Sequence, residues 1–566
     1  MPLRRAVVST VAVAVVWEVV GRLQLIASGA FPSLTAILTR LWRDRADYPP
    51  HLAATVEAAA IGFVAGNIVA ITCALVFSRS RVAERLLRGV GLTLFAVPLI
   101  AVVPVLLIAF SGSTPQIVLA AMAVYYPTMV STLAGLSRVD PRLVDVVRAT
   151  GGSEADVFRF VRLRSALPSV LSGLRVAAPA ALLGTLLAEF GGGARWGLGS
   201  YLLASLARAD PPRLWGIGLV ATAVAALAYA LFSLLGARAS RGLAGATTGA
   251  VVIGGPGGST EPLVRRVAWG LASGAVVLGL WTLILRLLAL SPVVARSPWG
   301  VLQYLFTGER GALARSRLLH ALAQTLPISL LGLACGLLAA FLLAVLFSLR
   351  PQLGRAVLPF ALLSQTMPLP ALTPLLVLVF GRSTLVMVMV TISVTFFPSF
   401  VTILQGFSEA PAGPLAVVRA YGGGQISSLR YVAVPHAVPY LLTAARLAAP
   451  RALLGVMIAE YLATGTGLGN LLNDSRGRLE YGMIWTVSAV AVLVAVSITG
   501  AVSMAERWVW RRHGLSGRAR SAEPLTTVIA DHPPTARPAS LSPPTSTPPQ
   551  GEPACATGAP SKSPSS

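Results

Sequence analysis

A long polar stretch occurs twice in this chain, each time between apolar segments. Asp145 to Pro168 reads DVVRATGGSEADVFRFVRLRSALP, and Ala416 to Pro439 reads AVVRAYGGGQISSLRYVAVPHAVP. The copies align without a gap at an offset of 271 residues. Arg148 matches Arg419, Gly151-Gly152 matches Gly422-Gly423, and Leu167-Pro168 matches Val438-Pro439. Each copy reads as a short helix, a glycine break, a second amphipathic helix and a proline that ends it. In the first copy Val157, Phe158, Val161 and Leu163 form an apolar stripe beside Arg159, Arg162 and Arg164. A helix of this kind lies on a surface or fits a partner's groove and does not span a bilayer.

What surrounds the two copies is membrane sequence. The 566 residues are 55% hydrophobic and 12% charged, against about 25% charged in soluble domains. Many apolar runs reach the ~20 residues that cross a hydrocarbon core. They lack the period-two alternation of a β-barrel. The fold class is therefore an all-α polytopic membrane protein. Spans are expected at about 55–78, 89–110, 116–136, 175–194 and 214–236, and again at about 324–347, 356–380, 384–404, 446–464 and 482–504. A first helix within residues 1–30 and its counterpart at 267–289, with Trp17 and Trp281 at similar places, bring the total to about twelve. Pro98, Pro104, Pro368 and Pro374 fall inside the third helices, where neighbours can satisfy the freed carbonyls. Residues 31–54 and 291–323 read as amphipathic connectors, with His51 and His320 as interfacial residues capping the helices that follow.

The net charge of +24 is carried almost wholly by arginine. A basic balance fits nucleic acid or an anionic substrate, but positive-inside topology carries most of the weight, so nucleic acid is not an expected partner and membrane lipid is. The arginine bias places the N-terminus and both polar stretches in the cytoplasm. With six helices per half, the halves are parallel repeats, and the C-terminus is cytoplasmic too. The resulting plan is a first helix and outer connector at 1–50, a first bundle at 51–240 and a flexible Gly-rich cytoplasmic linker at 241–262. A second first-helix and connector follow at 263–315, then a second bundle at 316–508 and a disordered Pro/Ser/Thr-rich tail at 516–566.

No phosphate-binding loop exists, because the single lysine is Lys562. Three scattered cysteines and five histidines suggest neither a disulfide framework nor a metal site. With no nucleophile elbow or paired catalytic acids, the chain is not expected to be an enzyme. If ATP drives it, another subunit must bind that ATP.

The duplicated stretch resembles the EAA loop of type-1 permease subunits of ABC importers. That pattern is an acid, two small residues, a glycine four on, then an aliphatic and a proline ten and thirteen beyond it. The first copy supplies Asp145, Val146, Val147, Gly151, Val161 and Leu163, and the second supplies Ala416, Val417, Val418, Gly422, Val432, Val434 and Pro435. Ala416 stands in place of the acid and Arg164 in place of the first proline. The resemblance covers roughly residues 50–240 and 315–508 and implies two tandem six-helix bundles in one chain. It implies that both loops, including Arg148, Gly152, Pro168, Arg419, Gly423 and Pro439, dock on a dimeric ABC ATPase that binds ATP and magnesium, and that an extracytoplasmic binding protein delivers the solute.

Glu189 in LLAEF and Glu460 in MIAEY stand at equivalent places, each followed by Gly-Leu-Gly. This is similar to permeases of the nitrate, sulfonate and taurine group. Two readings stand: a gate or substrate-path contact, or an acid snorkelling outward or bonding a neighbouring helix. Arg175 and Arg446 begin the same helices and anchor the cytoplasmic interface. The Gly-Leu-Gly turn favours a small anion such as a sulfonate or nitrate. Iron or a thiamine-type precursor, a secondary transporter of parallel repeats, and a membrane enzyme or scaffold are the alternatives.

Overall fold

The computed structural model describes residues 14–241 and 263–512, apart from 25–28, 81–89, 351–367 and the single positions 92, 138 and 193, and also residue 11. The linker around Gly254 to Thr260 and the tail from Ser516 lie outside the described residues.

The regular elements among the described residues are helices. In the first half they are α1 (Leu34–Arg43), α2 (Tyr48–Arg79), α3 (Leu99–Ala109), α4 (Thr114–Ser137), α5 (Pro141–Ala149), α6 (Glu154–Phe190), α7 (Leu198–Ala207) and α8 (Pro211–Arg241). After α9 (Leu263–Leu287) the series repeats as α10 (Pro298–Phe306), α11 (Gly311–Leu349), α12 (Leu369–Phe380), α13 (Thr384–Ser408), α14 (Ala412–Ala420), α15 (Gln425–Leu462), α16 (Gly467–Gly477) and α17 (Tyr481–Arg512). Nine described helices are long and apolar enough to cross a membrane: α2, α4, α6, α8, α9, α11, α13, α15 and α17.

Small residues bring the long helices together, as packing in lipid requires. Gly62 and Gly66 of α2 lie against Ala120, Ala121 and Val124 of α4, and Gly332 and Gly336 of α11 lie against Thr391 and Thr395 of α13. The first helix of each half is held alike. Trp17 meets Trp215 edge-on at 5.2 Å, and Trp281 stacks on Trp485 at 5.6 Å. The partner indoles donate to backbone carbonyls, Trp215 to Ala30 and Trp485 to Val294.

The third helices lie between the halves. α3 packs against α4 and α6 of its own half and against α15, α16 and α17 of the second, and α12 packs against α13 and α15 of its own half and against α6, α7 and α8 of the first. Ile100, Ala101 and Val103 thus share a core with Met457, Leu468 and Val487, while Ala371 and Leu375 share one with Leu198, Leu214 and Ile217. Across this seam, Ser488 Oγ donates to the Ala101 carbonyl at 2.6 Å.

Several expected boundaries are corrected. The helix expected over 89–110 breaks at Val97-Pro98, and α3 starts at Leu99 with Pro98 as its cap. A proline disfavours the helical conformation of the residue before it. Pro368 caps α12 in the same way, and only Pro104 and Pro374 stay inside. The fifth spans begin some twenty residues before the expected 175 and 446, because neither Pro168 nor Pro439 ends its helix. Both lie inside continuous helices. A proline in a helix near the bilayer loses one hydrogen bond but is tolerated where other groups satisfy the freed carbonyl. Arg175 and Arg446 consequently sit within helices rather than at their starts. Arg446 pairs with the buried Glu506 at 3.4 Å, and Arg175 lies over the Tyr229 ring at 5.4 Å. His51 and His320 also lie within α2 and α11 rather than at caps.

Candidate functional site

Three arrangements recur in both halves. The first surrounds the two buried acids. α6 ends at Phe190, and the chain turns through Gly197 into α7. Glu189 is 1% exposed. Its carboxylate accepts from the Gly199 N–H at 2.6 Å and from Thr55 Oγ1 of α2 at 2.7 Å. The same Thr55 oxygen accepts from the Leu198 N–H at 2.8 Å. In the second half Gly469 N–H donates to Glu460 at 2.9 Å, Thr325 Oγ1 donates to it at 2.8 Å, and Leu468 N–H donates to Thr325 at 2.8 Å. Each carboxylate therefore occupies the anion position at a helix N-terminus, tethered by its own chain.

Gly-Leu-Gly is the sequence this geometry needs. Gly197 and Gly467 have φ of +151° and +79°, and a Cβ on either would fall on the neighbouring carboxylate. The head of the turn meets a different side chain in each half. His51 Nδ1 lies 2.8 Å from the Gly197 carbonyl oxygen and 3.1 Å from the Gly197 nitrogen, with its ring stacked on Tyr201, whereas Gln324 Oε1 accepts from Gly467 N–H at 2.9 Å. Thr55, Thr325 and Gln324 were not singled out from sequence. The threonines meet the acids, and Gln324 meets Gly467, across well over a hundred residues, and only the matched positions of the two threonines in the repeat could have signalled them.

The second arrangement is the pair of loops. α5 ends in a reciprocal turn in which Gly152 N–H donates to Val147 O and Gly151 N–H to Arg148 O. Gly151 itself has φ +81°. This is the left-handed C′ residue of a Schellman motif. α14 ends identically, with Gly423 bonded to Val418, Gly422 to Arg419, and Gly422 at φ +76°. Ser153 then caps α6 in a reciprocal pair with Asp156, and Arg148 reaches across the turn to Glu154.

Each following helix contains a π-turn, Val157–Arg162 in α6 and Leu429–Ala433 in α15. The extra residue shifts the helix register. Val157 and Val161 are buried as expected, but Leu163 faces out, so it leaves the stripe predicted for it. In the second loop Leu429, Val432, Ala433 and Pro439 face inward, while Pro435 is exposed and Val434 half-buried. Asp145, Arg148 and Arg419 are exposed, and Gly152, Gly423 and Pro168 are half-buried. Each helix presents an aromatic ring at an equivalent place, Phe160 and Tyr431, 47% and 67% exposed. Arginines flank both: Arg159 and Arg164 lie over Phe160, and Arg430 lies over Tyr431.

The third arrangement is a cavity of about 720 Å³ between the halves. Equivalent positions of both halves line it: Met122 and Ser393, Tyr126 and Phe397, Pro127 and Pro398, Pro179 and Pro450, Leu183 and Leu454. Neither Glu189 nor Glu460 is among its lining residues.

Two stretches of the chain, residues 66–249 and 332–512, match the family described as the binding-protein-dependent transport system inner membrane component. Together they cover more than half of the sequence. The chain belongs to this family. It carries the permease domain twice, and single-domain relatives each align with a part of it. A probable ABC transporter permease protein of Haemophilus influenzae is 27% identical over 244 residues, 42% of this chain and 94% of the relative. A formylaminopyrimidine transport permease protein of Halalkalibacterium halodurans is 31% identical over 32% of this chain and 74% of its own length. A putative aliphatic sulfonates transport permease protein of Escherichia coli is 30% identical over 32% and 69%. Permeases of this family are transport subunits of the inner membrane rather than enzymes.

Proposed function

We propose that this chain is the complete transmembrane pathway of an ATP-driven importer for a small anion such as a sulfonate or nitrate. The observation that carries the reading is the cavity between two equivalent walls, in a chain that holds two permease domains of a binding-protein-dependent family. Solute delivered by an extracytoplasmic binding protein enters that cavity. Both loops face the cytoplasm, as do the two termini, and each seats its exposed ring and flanking arginines in a groove of one subunit of a dimeric ATPase. The partner holds ATP and magnesium. Closure of the ATPase pushes on α6 and α15, which run unbroken from the loops into the cavity walls.

The buried acids act in this scheme as clamps that fix α7 and α16 to the cavity helices, since both carboxylates are already bonded. The sulfonate relatives support the anion reading. The formylaminopyrimidine relative keeps a thiamine-type precursor as the second reading. The test is uptake into proteoliposomes holding the purified chain, the candidate ATPase and the binding protein. Accumulation of ethanesulfonate or nitrate that requires ATP and all three proteins is the expected result. Accumulation driven by an ion gradient without ATP would make the chain a secondary transporter.

A further inference from the structure

One segment of the two cavity walls is nearly the same sequence. Ala177 to Gly184 reads AAPAALLG and Ala448 to Gly455 reads AAPRALLG. The one difference is Ala180 against Arg451, and both line the cavity. Among the described residues that line the cavity Arg451 is the only charged one, and it makes no hydrogen bond or ion pair with any described residue. Tyr126, Tyr229 and Ser393 are the hydroxyl-bearing residues of the same lining, and no carboxylate is among the described lining residues.

Arg446 is paired with Glu506 and Arg213 with Asp44, while Arg175 lies over the Tyr229 ring with its Nε unbonded. An intramembrane cation without a counter-ion is costly, and such residues mark substrate paths. We propose that Arg451 is the substrate-binding residue of the pathway, donating in bidentate fashion to the oxyanion of a small sulfonate or a like anion. The planar guanidinium presents parallel N–H donors that fit two oxygens of such a group. The cavity has the size of ordinary small-molecule sites. The opposite wall, with Ala180, leaves room for the uncharged remainder of the solute. This assignment rests on the importer reading above and names its substrate contact.

The experiment uses the full chain with its ATPase and binding protein in proteoliposomes, with and without phosphatidylglycerol. It compares wild type, Arg451→Met and Arg451→Lys for uptake of ethanesulfonate, nitrate and a formylaminopyrimidine, and for melting temperature. The expected result is anion uptake lowered at least tenfold in Arg451→Met and lowered less steeply, but clearly below wild type, in Arg451→Lys, which keeps the charge and loses the two-pronged donor. Arg451→Met should melt at or above the wild-type temperature, because it removes an uncompensated charge. Wild-type anion uptake by Arg451→Met would overturn the assignment and leave the importer reading intact. Melting below wild type, or failure to assemble, would show a structural arginine and overturn it too. Uptake of only the pyrimidine by the wild type would overturn the anion reading together with this one. Melting that depends on phosphatidylglycerol through Arg451, with unchanged uptake, would assign the guanidinium to a lipid headgroup.

Discussion

At the scale of single residues, Glu460 and its turn make the sharpest forecast. Removing the carboxylate leaves the Gly469 N–H without its acceptor in a buried site, while the Thr325 hydroxyl keeps the Ala321 carbonyl at 3.1 Å. An orphaned buried group costs about 1–3 kcal/mol. Glu460→Ala should therefore lower the melting temperature clearly, and Glu189→Ala likewise. Gly467→Ala should do the same through positive φ and collision with the carboxylate. A clamp and a gate differ in a further readout. If the acid is a clamp, Glu460→Gln transports at the wild-type rate per folded molecule; a gating acid would lose transport at unchanged melting. Acid sensitivity has a separate origin in Asp44, whose carboxyl is held below the usual range by the Arg213 guanidinium. Its folded pKa is depressed. The stabilisation is thus present above the unfolded value of ~3.9 and is lost as pH falls through the lower folded value. Melting curves of wild type and Asp44→Asn should converge below about pH 4 and separate above it.

At the scale of elements, the loops show what the sequence could and could not say. The matched Gly151 and Gly422 announced a turn that needs glycine, and both are left-handed. The same reading could not see that the helix runs on past Pro168 and Pro439, since local rules treat an interior proline as a stop. The π-turns were hidden for a similar reason: one extra residue per turn leaves no compositional mark, so Leu163 was assigned to the wrong face. Arg451 was legible in principle, as the one mismatch between the segments 177–184 and 448–455, but inside an apolar run it reads as one more arginine. Left-handed backbone costs a residue with a Cβ roughly 1–2 kcal/mol. Gly151→Val or Gly422→Val should therefore still assemble but misplace the ring of Phe160 or Tyr431. The measurable consequence is ATPase activity that no longer rises when loaded binding protein is added. Phe160→Ala and Tyr431→Ala should weaken copurification of the ATPase without lowering the melting temperature, because both rings are exposed.

At the scale of the whole molecule, the halves are equivalent in sequence and interlocked in space. The 271-residue repeat predicted two bundles, and the family match found two permease domains. The placement of α3 and α12 between the halves was not predictable, because apolar helices of similar composition do not encode which neighbours they join. It joins the two halves through two mixed cores, and under the proposed function a push at either loop reaches both walls. That account requires parallel repeats with both loops on one side of the membrane. The most direct measurement places single cysteines at Ser153 and Ser427 in a chain whose Cys73, Cys335 and Cys555 have been replaced. A membrane-impermeant thiol reagent should label neither site in intact spheroplasts and both after lysis. Labelling of either site in intact spheroplasts would contradict the parallel arrangement and with it the shared pathway.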